Sequence, residues 1–367
     1  MKVPLLDLNA QYDPIISEIR QKIDLVLESH QYILGPQVKE FESMVEKSLN
    51  VDHAIGCASG TDAIILALKA LHVGHGDEVI TTPFTFFATA STIHRVGAIP
   101  VFVDIKPDTY NIDPDLIEKA ITNKTKAIIP VHLFGQPAEM DKIMDIAKRH
   151  NLFVIEDNAQ GIGATYDGKY AGTIGDIGTL SFFPSKNLGC MGDGGMCVTQ
   201  NEELAKRLRQ LRVHGENPKY YHQWVGFNSR LDTIQAAILS VKLPHLARWS
   251  EMRRKNAEYY YQNMKDIKQI KMPFIHEKAV SIFNQFTLFA ENRDGLIEHL
   301  KKSDIGNAVY YPLPLHLQEC FSDLGYKEGD CPNSERASKN VISIPIYSEL
   351  TNTQQDYVIQ AIREFYK

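Results

Sequence analysis

The sequence predicts an α/β protein built on a mostly parallel sheet with helices on both faces, and three observations carry that expectation. Short apolar runs of strand length alternate with stretches of helical periodicity. The runs are apolar enough to be strands buried on both faces. Several polar segments follow directly after a run, at the carboxyl ends where such sheets collect their ligands.

In chain order, Ser59-Gly60-Thr61 reads as a turn opening a helix over Asp62–Leu71, followed by a strand at Glu78–Thr82. Further strands are expected at Val101–Val103, Ala127–Val131, Phe153–Ile155 and Thr179–Phe183, with a helix over Glu139–Arg149 among them. A long charged helix is expected to run from Leu243 toward Met264, after which strands and short helices continue to Lys367. That change of pattern divides the chain into a large domain, 1–245, whose residues 1–14 form an arm, and a smaller one, 246–367. The proline-rich run Tyr310–His316 reads as extended chain fit to line a site.

A chain of 367 residues exceeds one ordinary core, which supports two domains. Its 44% hydrophobic and 23% charged residues are those of a globular protein. The 39 basic against 45 acidic residues give a formal charge of -6, which disfavours nucleic acid and anionic membrane as partners. The five cysteines lack C-x-x-C spacing, arguing against a disulfide framework or a metal site and for a reducing cytoplasm. No basic stretch followed by an apolar run stands at Met1–Asp7, and no later segment reaches membrane-spanning length, so neither export nor a membrane is expected.

The candidate chemistry centres on Lys186, in Phe183-Pro184-Ser185-Lys186-Asn187 directly after an expected buried strand. An amine among apolar neighbours loses stabilisation of its charged form, so a neutral nucleophile able to form a Schiff base becomes accessible. Asp157 ends the Phe153 strand, where a carboxylate can pair with the ring nitrogen of pyridoxal phosphate. Gly60 and Thr61 open a helix whose amides and dipole suit a phosphate, with the Ser181 hydroxyl as a further donor. Gln160 is placed to touch the ring's phenolic oxygen, and Phe86 to stack on the ring. Taken singly, each residue also fits an ordinary role: a loop lysine, a helix cap, a surface glutamine, a core phenylalanine.

As an ordered set, these residues resemble the DegT/DnrJ/EryC1/StrS family of sugar aminotransferases. The likeness spans nearly the whole chain, from Val3-Pro4-Leu5-Leu6-Asp7 through Ser59-Gly60-Thr61-Asp62-Ala63, Glu156-Asp157-Asn158-Ala159-Gln160 and Phe183–Asn187 to Gly226–Asp232 and Tyr311-Pro312. It implies the fold-type I transferase architecture, with a seven-stranded sheet in the large domain and a smaller C-terminal α+β domain. It implies pyridoxal 5'-phosphate bound covalently at Lys186, Asp157 on the ring nitrogen, and phosphate at Gly60, Thr61 and Ser181. In the family, the asparagine matching Asn228 reaches the neighbouring subunit's cofactor, which implies a homodimer with shared active sites. Arg230 is a candidate contact for a substrate carboxylate, and His214, Tyr221, Tyr311 and His316 are candidates for holding the sugar nucleotide. The implied reaction moves an amino group from L-glutamate, leaving 2-oxoglutarate, to a nucleotide-linked keto-sugar in amino-sugar and surface-glycan (lipopolysaccharide O-antigen) biosynthesis. The segment Asn187–Gly195 is similar to members acting at C3.

Three rivals stand beside that reading. Two are other reactions on the same scaffold, a 4-keto-sugar aminotransferase and a sugar dehydratase; members of the latter kind carry histidine where this chain has Lys186. The third is a regulatory protein that binds the cofactor without turnover. A nicotinamide-linked oxidoreductase is disfavoured, because no G-x-G-x-x-G stands between a first strand and its helix.

Overall fold

The computed structural model describes residues 1–367. The larger sheet has seven strands in the spatial order His53–Cys57, Gly195–Thr199, Ile177–Ser181, Phe153–Asp157, Thr125–Ile129, Glu78–Thr81, Ile99–Phe102. Gly195–Thr199 runs antiparallel to both of its neighbours, and the remaining pairs are parallel. The five strands expected from the sequence are all present, with ends shifted by up to two residues.

Alternation along each strand sends successive side chains to opposite faces. Val79, Ala127, Ile129, Ile155 and Ile177 face one way, onto the helix Gly60–Ala70, whose Ala63–Leu68 segment is buried throughout. A helix apolar on all sides is one enclosed on all sides, here by the sheet and by the helices Ala88–Arg95 and Glu202–Leu211. Ile80, Ile128 and Val154 face the other way, onto Met140 and Ile143 of the helix Met140–His150. Further along that face, Leu180, Met196 and Val198 meet Val38, Phe41 and Val45 of the helix Pro36–Leu49 and Leu239 of the helix Thr233–Lys242. Each such fully buried aliphatic side chain contributes about 1.5–3 kcal/mol.

The smaller domain has its own core around the antiparallel strands Ile270–Lys271, Phe286–Ala290 and Val341–Ile344 and the helices Arg293–Lys302 and Asn352–Phe365. The helix Leu246–Met264 joins the two bodies: Leu246 packs in the larger core, whereas Ala257, Tyr260 and Met264 pack in the smaller. Leu243–His245, expected as the start of that helix, forms a separate 3-10 turn, consistent with the proline at 244. The N-terminal arm also divides. Val3 is fully buried in the smaller core beside Ile305, while Ile15, just past the arm, packs with Trp249 and Ile238. No helix is long and apolar enough to cross a membrane.

Candidate active site

Because the parallel strands share one direction, their carboxyl ends meet at one rim, and the segments leaving that rim build the site. Asp157 is the last residue of its strand, and Ser181 is the last of the adjacent one. The turn holding Lys186 follows, closed by a hydrogen bond from the Lys186 N–H to the Phe183 carbonyl (2.8 Å).

Asp157 is 5% exposed. Its Oδ2 accepts a hydrogen bond from the Thr89 hydroxyl (2.8 Å) and its Oδ1 one from the Ala159 N–H (3.2 Å). Burial pushes its carboxyl upward, and these donors, with the charge of Lys186, pull against that rise. Thr89 sits on the helix Ala88–Arg95 and is itself paired with the Thr85 hydroxyl (3.2 Å). Neither threonine was marked as functional by the sequence, since a hydroxyl on a helix carries no local signal of a carboxylate dozens of residues away.

Lys186 is half-buried, and its Nζ takes no hydrogen bond or ion pair within the chain. Burial lowers its amine to about 8, with the Asp157 charge opposing that fall. A loop lysine in open solvent would show no such fall.

The helix Gly60–Ala70 begins at the same rim. Its cap, Ser59, accepts from the Asp62 N–H (3.1 Å), and the N–H groups of Gly60 and Thr61 belong to the set that a helix cannot satisfy internally. A Cβ on Gly60 would lie 2.6 Å from that of Ser181, so only glycine lets the helix start this close to the Ser181 hydroxyl. Ser181 Oγ accepts weakly from the Phe183 N–H (3.4 Å) and donates to nothing in the chain. Two amides, a hydroxyl and a helix N-terminus beside an uncommitted amine fit a phosphorylated aldehyde cofactor.

Gln160 is buried with both ends of its amide engaged: Oε1 accepts from the Phe134 N–H (2.7 Å) and Nε2 donates to the Tyr311 hydroxyl (3.1 Å). Tyr311 in turn lies edge-on to Phe84 (6.1 Å between centroids) and tilted against Phe86 (6.4 Å). Phe84 is the core residue of that segment, whereas Phe86 is 58% exposed, as an aromatic held ready for a ligand would be.

Beneath the rim, Glu156 points away from Asp157 into the protein, as its neighbour on a strand must. Its carboxylate accepts from the N–H groups of Gly172 (2.8 Å), Ile174 (2.7 Å) and Gly175 (2.7 Å) and pairs with His132 Nε2 (2.8 Å). His132 Nδ1 accepts from the Ala138 N–H (3.1 Å), which places the ring proton on Nε2, toward Glu156. His132 also donates its backbone N–H to the Asp157 carbonyl (3.0 Å), so this buried pair supports the strand end that carries Asp157.

The remaining candidates divide. Arg230 is half-buried and forms no salt bridge or hydrogen bond within the chain, leaving its guanidinium free for an anion. Asn228 is exposed, as are His214 and Tyr221, the last at 70%. The His214 carbonyl accepts from the His222 ring (3.1 Å), which folds this loop upon itself; no contact joins it to Lys186 within one chain. His316 departs from the expectation of an open, substrate-facing residue. The run Tyr310–His316 is not one extended stretch: it bends at Tyr310, Pro312 and Leu313 and is extended at Pro314, and His316 lies in a 3-10 turn, 1% exposed, with Nε2 against Glu335 (3.1 Å) and its ring edge-on to Tyr326. Its Nε2 is thereby committed to Glu335 within the chain.

The profile of the DegT/DnrJ/EryC1/StrS aminotransferase family matches residues 13–363. A curated relative from Geobacillus stearothermophilus, named a pleiotropic regulatory protein, is 53% identical over 100% of this chain and 99% of its own. Another, from Acidithiobacillus ferrooxidans, is named UDP-N-acetyl-3-dehydro-alpha-D-glucosamine 3-aminotransferase and is 45% identical over 98% of this chain and 97% of its own. Among solved structures, S. venezuelae DesV in complex with a ketimine intermediate superimposes with a TM-score of 0.98 at 41% identity, covering 100% of this chain and 99% of that one.

Proposed function

This chain belongs to the DegT/DnrJ/EryC1/StrS aminotransferase family, whose cofactor is pyridoxal 5'-phosphate, and from that premise we propose that it moves an amino group from L-glutamate to the C3 keto group of a nucleotide-linked sugar. The observation that carries the reading is the buried amine of Lys186, lowered to about 8 and left without a partner beside Asp157 and the Gly60–Ser181 cradle.

Gly60, Thr61 and Ser181 hold the phosphate, Asp157 the ring nitrogen, Gln160 the phenolic oxygen and Phe86 the ring face. The cofactor, when bound, supplies an electron sink for the carbon that loses its proton. Lys186 would hold the cofactor through its aldehyde, and its Nζ would act as the base that removes the proton from the alpha carbon of the amino donor and, in the return half, as the acid that delivers a proton to the former keto carbon of the sugar. A pKa near neutrality suits that work in both directions. A protonated ring nitrogen gives Asp157 the counter-charge that its burial calls for. Arg230 binds the donor carboxylate, while Tyr311 and the exposed His214 and Tyr221 contact the sugar nucleotide. The exposed Asn228 reaches the cofactor phosphate of a second copy, making a homodimer with shared sites. Four of the five thiols are buried and none is bonded, which supports work in the reducing cytoplasm.

The name of the Geobacillus relative motivates a second reading, cofactor binding without turnover. One experiment separates the two. Holoprotein is mixed with L-glutamate and the cofactor's visible band is followed; transamination converts it to the amino form, and no conversion with any amino donor supports the binding role. Adding paired 3-keto and 4-keto nucleotide sugars then regenerates the band with the true acceptor, and a response to the 4-keto sugar alone overturns the C3 assignment.

A further inference from the structure

We propose that Lys242 and Gln235, both on the helix Thr233–Lys242, grip the backbone that follows Lys186 and thereby position its amine. The inference rests on the reading that Lys186 carries the cofactor.

Lys242 is 0% exposed, yet no carboxylate lies within ion-pair distance of it. Its Nζ instead donates to the Gly189 carbonyl and to the Tyr12 hydroxyl (2.8 Å), and it lies 4.0 Å from the centroid of the Tyr12 ring. Burial with no acidic partner draws the amine down to about 7. A buried lysine without a counter-ion is a costly choice, and an aliphatic residue would fill the same volume more cheaply. What it provides that an aliphatic residue cannot is the hold on the Gly189 carbonyl.

Gln235, two helical turns earlier on the same face, acts on the next stretch of that segment. Its Oε1 accepts from the Met191 N–H (2.8 Å) and its Nε2 donates to the Met191 carbonyl (3.1 Å), so one side chain satisfies both backbone groups of one residue. The segment between these grips and Lys186 has little room to adjust. The Cys190 N–H donates to the Phe182 carbonyl (2.8 Å), and Gly189 is pressed against the backbone of Phe183 and Pro184 so closely that any side chain there would collide with it. A shift of residues 189–191 is therefore passed to the turn that holds Lys186.

The test uses holoenzyme carrying Lys242→Met, Gln235→Leu or Gln235→Glu, the last keeping the acceptor for the Met191 N–H and losing the donor to its carbonyl. Steady-state kinetics, the pH midpoint of the visible cofactor band and the thermal midpoint are measured. A displacement on the order of 1 Å at the amine predicts a fall in kcat of about 100-fold with KM for the amino donor held within about twofold, and a moved band midpoint. Gln235→Glu should fall between Gln235→Leu and the wild type. A purely structural role would lower the thermal midpoint and leave the band midpoint where it was. That result overturns the proposal, as do wild-type kcat and band in both Lys242→Met and Gln235→Leu. Should Lys242→Met fail to fold, the half-buried Gln235 variants decide. Borohydride labelling of the wild type separates the two levels: a label away from Lys186 defeats the underlying reading, whereas a label at Lys186 with indifferent variants defeats only the positioning role.

Discussion

Replacing Thr89 with valine removes one buried hydroxyl while keeping the shape of the side chain. In the wild type that hydroxyl donates to Asp157 Oδ2 at 2.8 Å, and the only other donor to this carboxylate is the Ala159 N–H at 3.2 Å. A hydrogen bond to a charged group contributes about 1.5–3 kcal/mol, and one pKa unit corresponds to about 1.36 kcal/mol, so the Asp157 carboxyl should rise by a further 1 to 2 units or so. Its pKa is already raised in the folded protein, so the folded state retains this proton to higher pH than the unfolded chain does. The stability cost is accordingly absent at low pH and appears as pH climbs through the folded pKa. Thr89→Val enlarges that cost, making its destabilisation greatest near neutral pH and smaller on acidification. Chemical denaturation of Thr89→Val and Thr89→Ser at several pH values, with the acid limb of kcat/KM for glutamate, measures both effects. The serine variant should stay near the wild type in each, while the valine variant's acid limb moves up by about 1 to 2 units. A pH-independent loss of stability in Thr89→Val, with its acid limb unmoved, would refute the reasoning.

Gly60→Ala brings a Cβ to 2.6 Å from that of Ser181, so it should weaken retention of pyridoxal phosphate more than that of unphosphorylated pyridoxal, as measured by equilibrium dialysis. Glu156→Gln breaks a buried pair and should destabilise the fold by about 3 kcal/mol or more at neutral pH. Because the Glu156 carboxyl is held below its ordinary value by His132 and the surrounding N–H groups, against its burial, that contribution is present above the unfolded glutamate range and lost as pH falls through the folded pKa; urea titrations should show the two proteins converging as pH falls below the unfolded glutamate range. His316→Leu should cost about 1–3 kcal/mol by stranding part of Glu335, with KM for the nucleotide sugar unchanged. A selective rise in that KM would restore His316 to the substrate site.

Much of this was legible in the residues. Lys186 and Asp157 stand out as candidates because each follows or ends a short apolar run, and a parallel sheet gathers its carboxyl ends at one rim. The cradle was legible for the same reason, since Ser59-Gly60-Thr61 opens a strongly apolar helix. The strands His53–Cys57 and Gly195–Thr199 were missed: each is a short, largely buried run containing glycine, with no alternation to mark it. Thr89, His132 and Lys242 act through partners distant in sequence, and pairings of that kind leave no periodic trace. The surroundings of His316 were hidden for a related reason. Beside two prolines it reads as loop, and only the fold brings Glu335 from the helix Pro332–Asn340 against its ring.

The most direct measurement is reduction of the holoprotein with borohydride followed by peptide mapping of the labelled residue. The account predicts a single site of attachment, in the peptide containing Phe183-Pro184-Ser185-Lys186-Asn187, and loss of the visible band in Lys186→Ala without loss of folding. A label on any other lysine, the buried Lys242 included, or a band that survives Lys186→Ala, would contradict it.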